Sequence, residues 1–349
     1  MKRDKETGLI LMTALLPTRG HVNLIKFALE ICEEVDVVIS TRSFEPAIVK
    51  DRVQWFKNEF AGCGVVSFYE HADDTAPQNP QDHPDFWNWW KNAVAGVTGR
   101  SRYDAVVASE QYGVNLAEAF EAKFIPFDVR RDIDDFSGTS IRKNIFVNWD
   151  KIIPSARKSF LSKFVMFGQE SVGKSTIAKS MGKYDLIKSY PEYARQYLEA
   201  VGAELSREKM LDITRGQLAY QRMAEQEENA HSVVFDTDLF STIGYYEIMN
   251  QKKWMEEDWG ELGIFADDIK NDVYFILPDD VPFAPDELRY GGDKRESTTQ
   301  FWIDLAERYH LNYVVVIKGN LFVKEYFIND YVQNYNREKF KELMEFRRD

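Results

Sequence analysis

The run Phe164-Val-Met-Phe-Gly168-Gln-Glu-Ser171-Val-Gly173-Lys174-Ser175-Thr176 constrains this chain more than any other stretch. It matches G-x-x-x-x-G-K-[ST], with an apolar strand pattern before it and a helical pattern (Ile177, Ala178, Met181) after it. Gly168 and Gly173 let the backbone turn tightly enough for the amides of the loop, Ser171 included, to enclose phosphate oxygens, and the helix starting near Lys174 adds its positive dipole end. Lys174 would reach the β- and γ-phosphates of ATP or GTP, while the Ser175 hydroxyl, followed by Thr176, would face Mg²⁺.

A chain of 349 residues is too long for one typical domain. Two are expected, over 1–150 and 160–349. Lys+Arg 44 against Asp+Glu 57 leaves a net charge of −13, which argues against broad attraction to nucleic acid or anionic membrane. Anionic ligands must therefore be held by local clusters. Cys32 and Cys63 lack metal-type spacing and read as reduced cysteines of a cytoplasmic protein. No signal-peptide pattern and no apolar run of membrane-spanning length is present. The chain reads as strand from Leu9 onward, so no DNA-binding module is expected before it.

From residue 9 to 129, strand-like runs (Leu9–Leu15, Val35–Ser40, Val65–Glu70, Ala105–Ser109, Phe124–Val129) alternate with helical stretches near 21–34, 47–60, 85–97 and 113–121. That alternation predicts α/β architecture with a doubly wound parallel sheet and a ligand site at the carboxyl ends of its strands. At the end of the first strand stands Pro17-Thr18-Arg19-Gly20-His21, before a helix with Leu24, Phe27, Ala28 and Ile31 on its apolar face. Gly20 before His21 at a helix start gathers imidazole, backbone amides and the Thr18 hydroxyl around a point suited to phosphate. Ser109 and Tyr112 follow the strand 105–108 and share that rim. Trp87, Trp89 and Trp90 crowd one helix start. Aromatic clusters at helical spacing are more often core; if one ring stacks on a cationic aromatic ligand such as nicotinamide, Trp87 is the choice.

Thr18-Arg19-Gly20-His21 resembles the [HT]-x-G-H signature of the nucleotidyltransferase superfamily, in its Thr form. The second signature of that superfamily, a Ser/Thr-rich turn running into an arginine, is matched by Ser137-Gly138-Thr139-Ser140-Ile141-Arg142. The resemblance implies that Ser137, Thr139 and Arg142 hold the leaving phosphates of ATP.

Between the halves, Ile145, Phe146, Trp149, Ile152 and Ile153 suggest a packed segment, and Pro154 marks a break. In the second half, Tyr190-Pro-Glu192-Tyr-Ala-Arg195 opens a helix, a polar helix spans roughly 206–230, and Val233–Phe235 delivers Asp236-Thr237-Asp238. An acid at the end of a buried strand beside a P-loop is the expected Mg²⁺-side carboxylate, here Asp236, while Asp238 suits a helix cap. Glu192 and Asp236 are both candidates to deprotonate an acceptor hydroxyl, with Arg195 placed to bind substrate or phosphate. Arg289 to Arg295, around two glycines, has the composition of a lid over phosphates. Strands at 273–277 and 313–318 and a long terminal helix complete the unit.

A nucleotidyltransferase half followed by a P-loop kinase half, with a Trp-containing junction, resembles the NadR family of bifunctional enzymes. The likeness is carried by Thr18–His21, Ser109–Tyr112, Ser137–Arg142, Trp149, Gly168–Thr176, Glu192–Arg195 and Asp236–Asp238. It implies a nicotinamide-mononucleotide adenylyltransferase joined to a ribosylnicotinamide kinase, using ATP and Mg²⁺. Its ligands would be ribosylnicotinamide, nicotinamide mononucleotide, ATP and NAD, without nucleic acid or membrane; a homo-oligomer is allowed. The resemblance places His21, Arg142, Lys174, Glu192 and Asp236 in the chemistry. Competing readings are a pantetheine-phosphate adenylyltransferase joined to a dephospho-coenzyme A kinase, and a weakly catalytic sensor of NAD or ATP.

Overall fold

The computed structural model describes residues 6–202, 206–250, 260, 266–283 and 297–346. It divides into two compact units, residues 1–160 with 339–349, and residues 161–338. The second unit thus stops short of the expected residue 349. The last turns of the terminal helix Leu321–Glu345 count with the first unit, because the ring of Phe340 packs edge-on against Phe160 at 5.5 Å and near Trp149 at 6.3 Å.

In the first unit, five strands run β1 (Thr7–Met12), β2 (Glu34–Thr41), β3 (Val66–Ala72), β4 (Ala105–Ala108) and β5 (Lys123–Pro126). All pair in parallel, in the order β3-β2-β1-β4-β5. The order reverses between β1 and β4, and a crevice opens there at their carboxyl ends, where an open α/β sheet takes its ligand. On one face, Leu9, Val38 and Val106 pack against Trp90, Val94 and Leu116. The helices Arg19–Ile31, Arg52–Glu59, Phe86–Thr98 and Tyr112–Phe120 make the crossovers. The first two strands end earlier or later than the apolar runs imply: Ala14 takes a left-handed φ of 42°, which ends β1 before Leu15.

The junction belongs to the first unit. Ile152 forms a bridge with Thr18, and the Ile153 amide donates to Pro17 O at 3.2 Å, so this segment braces the turn that carries His21. Trp149 is 2% exposed and Ile152 and Ile153 are buried beside it.

The second unit holds β6 (Ser162–Phe167), β7 (Ile187–Tyr190), β8 (Ser232–Phe235), β9 (Val273–Ile276) and β10 (Tyr313–Val315), again all parallel, ordered β10-β9-β6-β8-β7. The central β6 is apolar on both faces. Val165 and Phe167 join Phe235, Tyr274 and Trp302, while Phe164 and Met166 join Ile177, Phe275 and Ile328. β7 is an edge strand of mixed polarity, Ile-Lys-Ser-Tyr, which periodicity does not reveal. The polar helix occupies Arg207–Ala224 and stops before the expected 230. β10 ends at Val315, where the expectation ran to Lys318. Cys32 and Cys63 are free thiols. Among the described residues no helix is long and apolar enough to cross a membrane.

Candidate active sites, one in each unit

In the first unit, the helix Arg19–Ile31 begins where β1 ends, with Thr18 as its cap. Thr18 is 2% exposed. Its amide donates to His21 Nδ1 at 3.1 Å and its hydroxyl lies 2.8 Å from the same nitrogen. The Thr18 hydroxyl therefore holds the imidazole, a more indirect part than the phosphate contact expected for it. Because Nδ1 accepts from a backbone N–H, the ring proton of the neutral imidazole sits on Nε2. Burial, then the Arg131 charge, pushes the His21 pKa down to about 4, against an opposing pull from Asp134. At neutral pH His21 is an uncharged donor.

A cavity of about 570 Å³ lies over this group, lined by Gly20, His21, Trp87, Ser109, Tyr112 and Arg131 among others. That volume falls within the usual range of small-molecule sites. Of the three tryptophans, Trp90 is core, with its Nε1 donating to Pro77 O at 3.2 Å. Trp89 turns its ring to His71, 5.7 Å away. Trp87 is half-buried and lines the cavity together with Trp90. The Tyr112 hydroxyl donates to Leu11 O, leaving its ring as the surface it offers. A second hollow shares His21 and Arg131 and adds Ser137, Thr139, Arg142 and Lys143. Ser137 caps the short helix Gly138–Lys143, exchanging bonds with Ser140 at 3.0 and 2.9 Å. Arg142 stands one turn in, its guanidinium 3.4 Å from the Thr139 hydroxyl. The two sequence signatures thus meet around His21.

Three contributors here escaped sequence reasoning. Arg131 has a left-handed φ of 59° and donates to Phe136 O at 2.7 Å. Asp134 accepts from Asn23 at 2.9 Å. Arg52 is 1% exposed and donates to Thr13 O and Ser40 O at 3.1 and 2.9 Å while pairing with Glu45. It thereby ties together the carboxyl ends of β1 and β2. The adjacent arginines at 130 and 131 in an otherwise acidic loop were the only available hint.

In the second unit, the loop after β6 turns through Gly168 (φ 128°), Ser171 (56°) and Gly173 (95°) into the helix Lys174–Met181. The φ of Gly173 demands glycine, and a Cβ there would also push aside the Leu321 methyl 2.3 Å away. The Lys174 ammonium donates to Gly168 O, Gln169 O and the Tyr245 hydroxyl at 2.8, 2.7 and 2.9 Å. Ser171, Gly173, Lys174, Ser175, Thr176, Glu192 and Arg195 line one cleft of about 360 Å³, together with Tyr245 and Thr242.

Asp236 follows β8, the neighbour of β6. Burial, then the Glu192 charge, raises its pKa to about 7, while the Ser175 hydroxyl, Lys174 and Arg195 pull it back. Among the described residues its buried Oδ1 finds no hydrogen-bond partner. Asp238 is different: it accepts from the Ser241 amide at 3.0 Å and from Asn271 at 3.2 Å, fully buried ahead of the helix Leu239–Asn250. Asp236 thus faces the P-loop hydroxyl of Ser175, and Asp238 caps a helix. Arg289 and Arg295 lie outside the described residues. Among the described residues no group of three or more His, Cys, Asp or Glu gathers for a metal. One hydroxyl and one unpartnered carboxylate oxygen, Ser175 and Asp236, are the sparse donor set that suits Mg²⁺, which keeps waters and phosphate oxygens as its other ligands.

Two parallel sheets, each followed after its first strand by a turn into a helix, define a two-unit α/β protein with a P-loop in the second unit. Across nearly its whole length the chain resembles NadR. Two curated proteins, each named "Trifunctional NAD biosynthesis/regulator protein NadR", from Escherichia coli (strain K12) and Salmonella typhimurium, are 23% and 22% identical to it. Each match covers 90% of this chain and 80% of the relative. A crystal structure of NadR in complex with NAD and AMP-PNP superposes with a TM-score of 0.64 at 19% identity, over 95% of this chain and 97% of that one. Another, in complex with NR, gives 0.65 at 18%, over 96% and 98%. These likenesses establish the shared fold. A family model described as an AAA domain matches residues 163–324.

Proposed function

We propose that the chain is a bifunctional NAD-forming enzyme. Its second unit would phosphorylate the 5′-hydroxyl of ribosylnicotinamide with ATP. Its first would transfer the adenylyl group of a second ATP to the resulting nicotinamide mononucleotide, releasing pyrophosphate. The observation that carries this reading is the pairing of two phosphate-directed sites in one chain, one built on a neutral donor imidazole with Trp87 nearby and one on a P-loop with an unpartnered carboxylate. The NAD, AMP-PNP and NR named for the structural neighbours supply the ligand classes.

In the transferase unit, Nε2–H of His21 donates to an oxygen of the α-phosphoryl group as the mononucleotide phosphate attacks in line. Arg131, Arg142 and the capped helix start at Ser137 take up charge on the departing pyrophosphate. The protein supplies position and electrostatics, with no covalent enzyme intermediate. In the kinase unit, Lys174 and the loop amides hold the β- and γ-phosphates. Glu192, which lines the same cleft as Arg195, is placed to accept the proton of the acceptor hydroxyl. Mg²⁺ at Ser175 and Asp236 would supply charge neutralisation on the phosphates.

The test is direct. Purified protein given ribosylnicotinamide, ATP and Mg²⁺ should yield the mononucleotide and then NAD, resolved by chromatography. Lys174→Ala should yield neither product from ribosylnicotinamide yet still make NAD from supplied nicotinamide mononucleotide, and His21→Ala should stop at the mononucleotide. If the wild-type chain makes neither product but phosphorylates dephospho-coenzyme A or adenylates pantetheine phosphate, the coenzyme A reading replaces this one. Tight NAD binding with no turnover on any of these substrates would make it a sensor.

A further inference from the structure

The lysine of the P-loop has a partner that neither motif names. The Lys174 ammonium has three protons, and three acceptors lie within 2.9 Å: Gly168 O, Gln169 O and the Tyr245 hydroxyl. Two of these belong to the loop itself and compete with the phosphates that Lys174 must reach. Tyr245 belongs to the helix Leu239–Asn250 and lines the same cleft.

Its placement is tightly determined. One residue earlier, Gly244 lets this helix press onto Trp302: a Cβ there would stand 2.6 Å from the indole. The Tyr245 ring then meets Trp302 edge-on at 5.1 Å, and Trp302 is fully buried against Phe167 of β6 at 5.0 Å. A chain of rigid contacts thus runs from the strand that feeds the P-loop, through Trp302, to the Tyr245 ring and onto the ammonium. The Tyr245 hydroxyl also lies 3.4 Å from Gly168 O.

We propose that Tyr245 is a positioning residue for Lys174, holding the ammonium toward the cleft when β- and γ-phosphate oxygens replace Gly168 O and Gln169 O. Of the three acceptors, Tyr245 is the one a nucleotide leaves in place, since its oxygen is outside the loop that wraps the phosphates. With it, Lys174 loses two bonds to the loop, gains phosphate oxygens, and keeps one fixed anchor. Without it, the ammonium must be ordered from a freely rotating side chain each time nucleotide binds.

The proposal rests on the P-loop unit binding ATP, and the experiment separates the two claims. AMP-PNP binding in the presence of Mg²⁺ is measured by titration calorimetry on the full chain for wild type, Tyr245→Phe, Lys174→Met and the double variant. Phenylalanine keeps the ring on Trp302, and unchanged thermal unfolding checks that it does. Loss of a hydrogen bond to a charged group should weaken binding by about tenfold or more in the wild-type background. In the Lys174→Met background the same substitution should change it by less than about twofold, because Tyr245 then has no ammonium to hold. Equal losses in both backgrounds, or no loss in either, overturn the role of Tyr245 alone. No AMP-PNP binding by the wild-type chain overturns the nucleotide reading beneath it.

Discussion

Thr18 and His21 are joined twice, by a backbone N–H donating to Nδ1 at 3.1 Å and by a hydroxyl 2.8 Å from the same atom. This double contact is what turns a histidine at a helix start into a donor of fixed tautomer. It also explains why threonine serves at the first signature position: a buried β-branched residue holds one rotamer and aims its hydroxyl at the ring. Substituting Thr18→Val, which keeps the shape, should lower adenylyl transfer by about tenfold while leaving phosphorylation unchanged. Product-resolved rates on the same preparation would show this.

His21 also carries a stability signature. Its folded-state pKa of about 4 lies below the ordinary 6.5, so on acidification the unfolded chain takes up a proton that the folded one refuses. Its contribution is constant above pH 6.5 and is lost as pH falls from 6.5 toward 4. In thermal unfolding, His21→Gln should lose less stability than wild type between pH 7 and pH 4.5. Adenylyl transfer should show no His21 ionisation between pH 5.5 and 8.

Asp236 has the opposite character, with a pKa raised to about 7. Mg²⁺ binding should therefore strengthen as pH rises through about 7 and this carboxylate loses its proton. Removing the neighbouring negative charge with Glu192→Gln should move that rise to lower pH. An acid whose folded pKa exceeds its unfolded value costs stability as pH climbs from 3.8 to 7. Asp236→Asn should thus abolish phosphorylation yet raise the melting temperature at pH 8 by about 2–4 °C.

Gly173 combines a φ of 95° with a Leu321 methyl where a Cβ would go. Gly173→Ala should cost roughly 1–3 kcal/mol of local strain and abolish AMP-PNP binding at the P-loop. Adenylyl transfer by the same variant should persist.

Arg52 is the buried brace of the first unit. Arg52→Met leaves Glu45 buried without its charge partner, a loss of about 3–5 kcal/mol. Thermal unfolding should fall by roughly 6–20 °C, and the surviving protein should have reduced adenylyl transfer, because Thr13 O and Ser40 O lose their shared donor. A melting temperature within 2 °C of wild type would contradict this account of the pair.

The elements that periodicity exposed were those whose burial is uniform. β6, with four buried apolar residues in a row before Gly168, was legible at once. β7 was not, because an edge strand buries one face and part of the other, and Lys188 and Ser189 break the pattern. The P-loop could be located to the residue, since each glycine answers a backbone demand that no other side chain meets. Arg131, Asp134, Arg52 and Tyr245 could not. Each sits in a stretch without a motif and acquires its part only from what the fold sets beside it.

The order of residues alone determined two parallel α/β sheets, the turns at Thr18–His21 and Gly168–Thr176 that lead into helices, and the helix cap at Asp238. All of these depend on local chemistry, on backbone dihedrals, caps and apolar runs within a few residues. Tertiary structure alone decided which proton His21 carries, that burial and Glu192 raise the Asp236 pKa, that Trp90 is buried in the core and Trp87 half-buried at the cavity, and that Lys174 bonds Tyr245. Those properties come from desolvation and from charges and rings tens of residues away in sequence. A buried group's ionisation and hydrogen-bond partners are set by the atoms packed around it, and only the fold brings those atoms together.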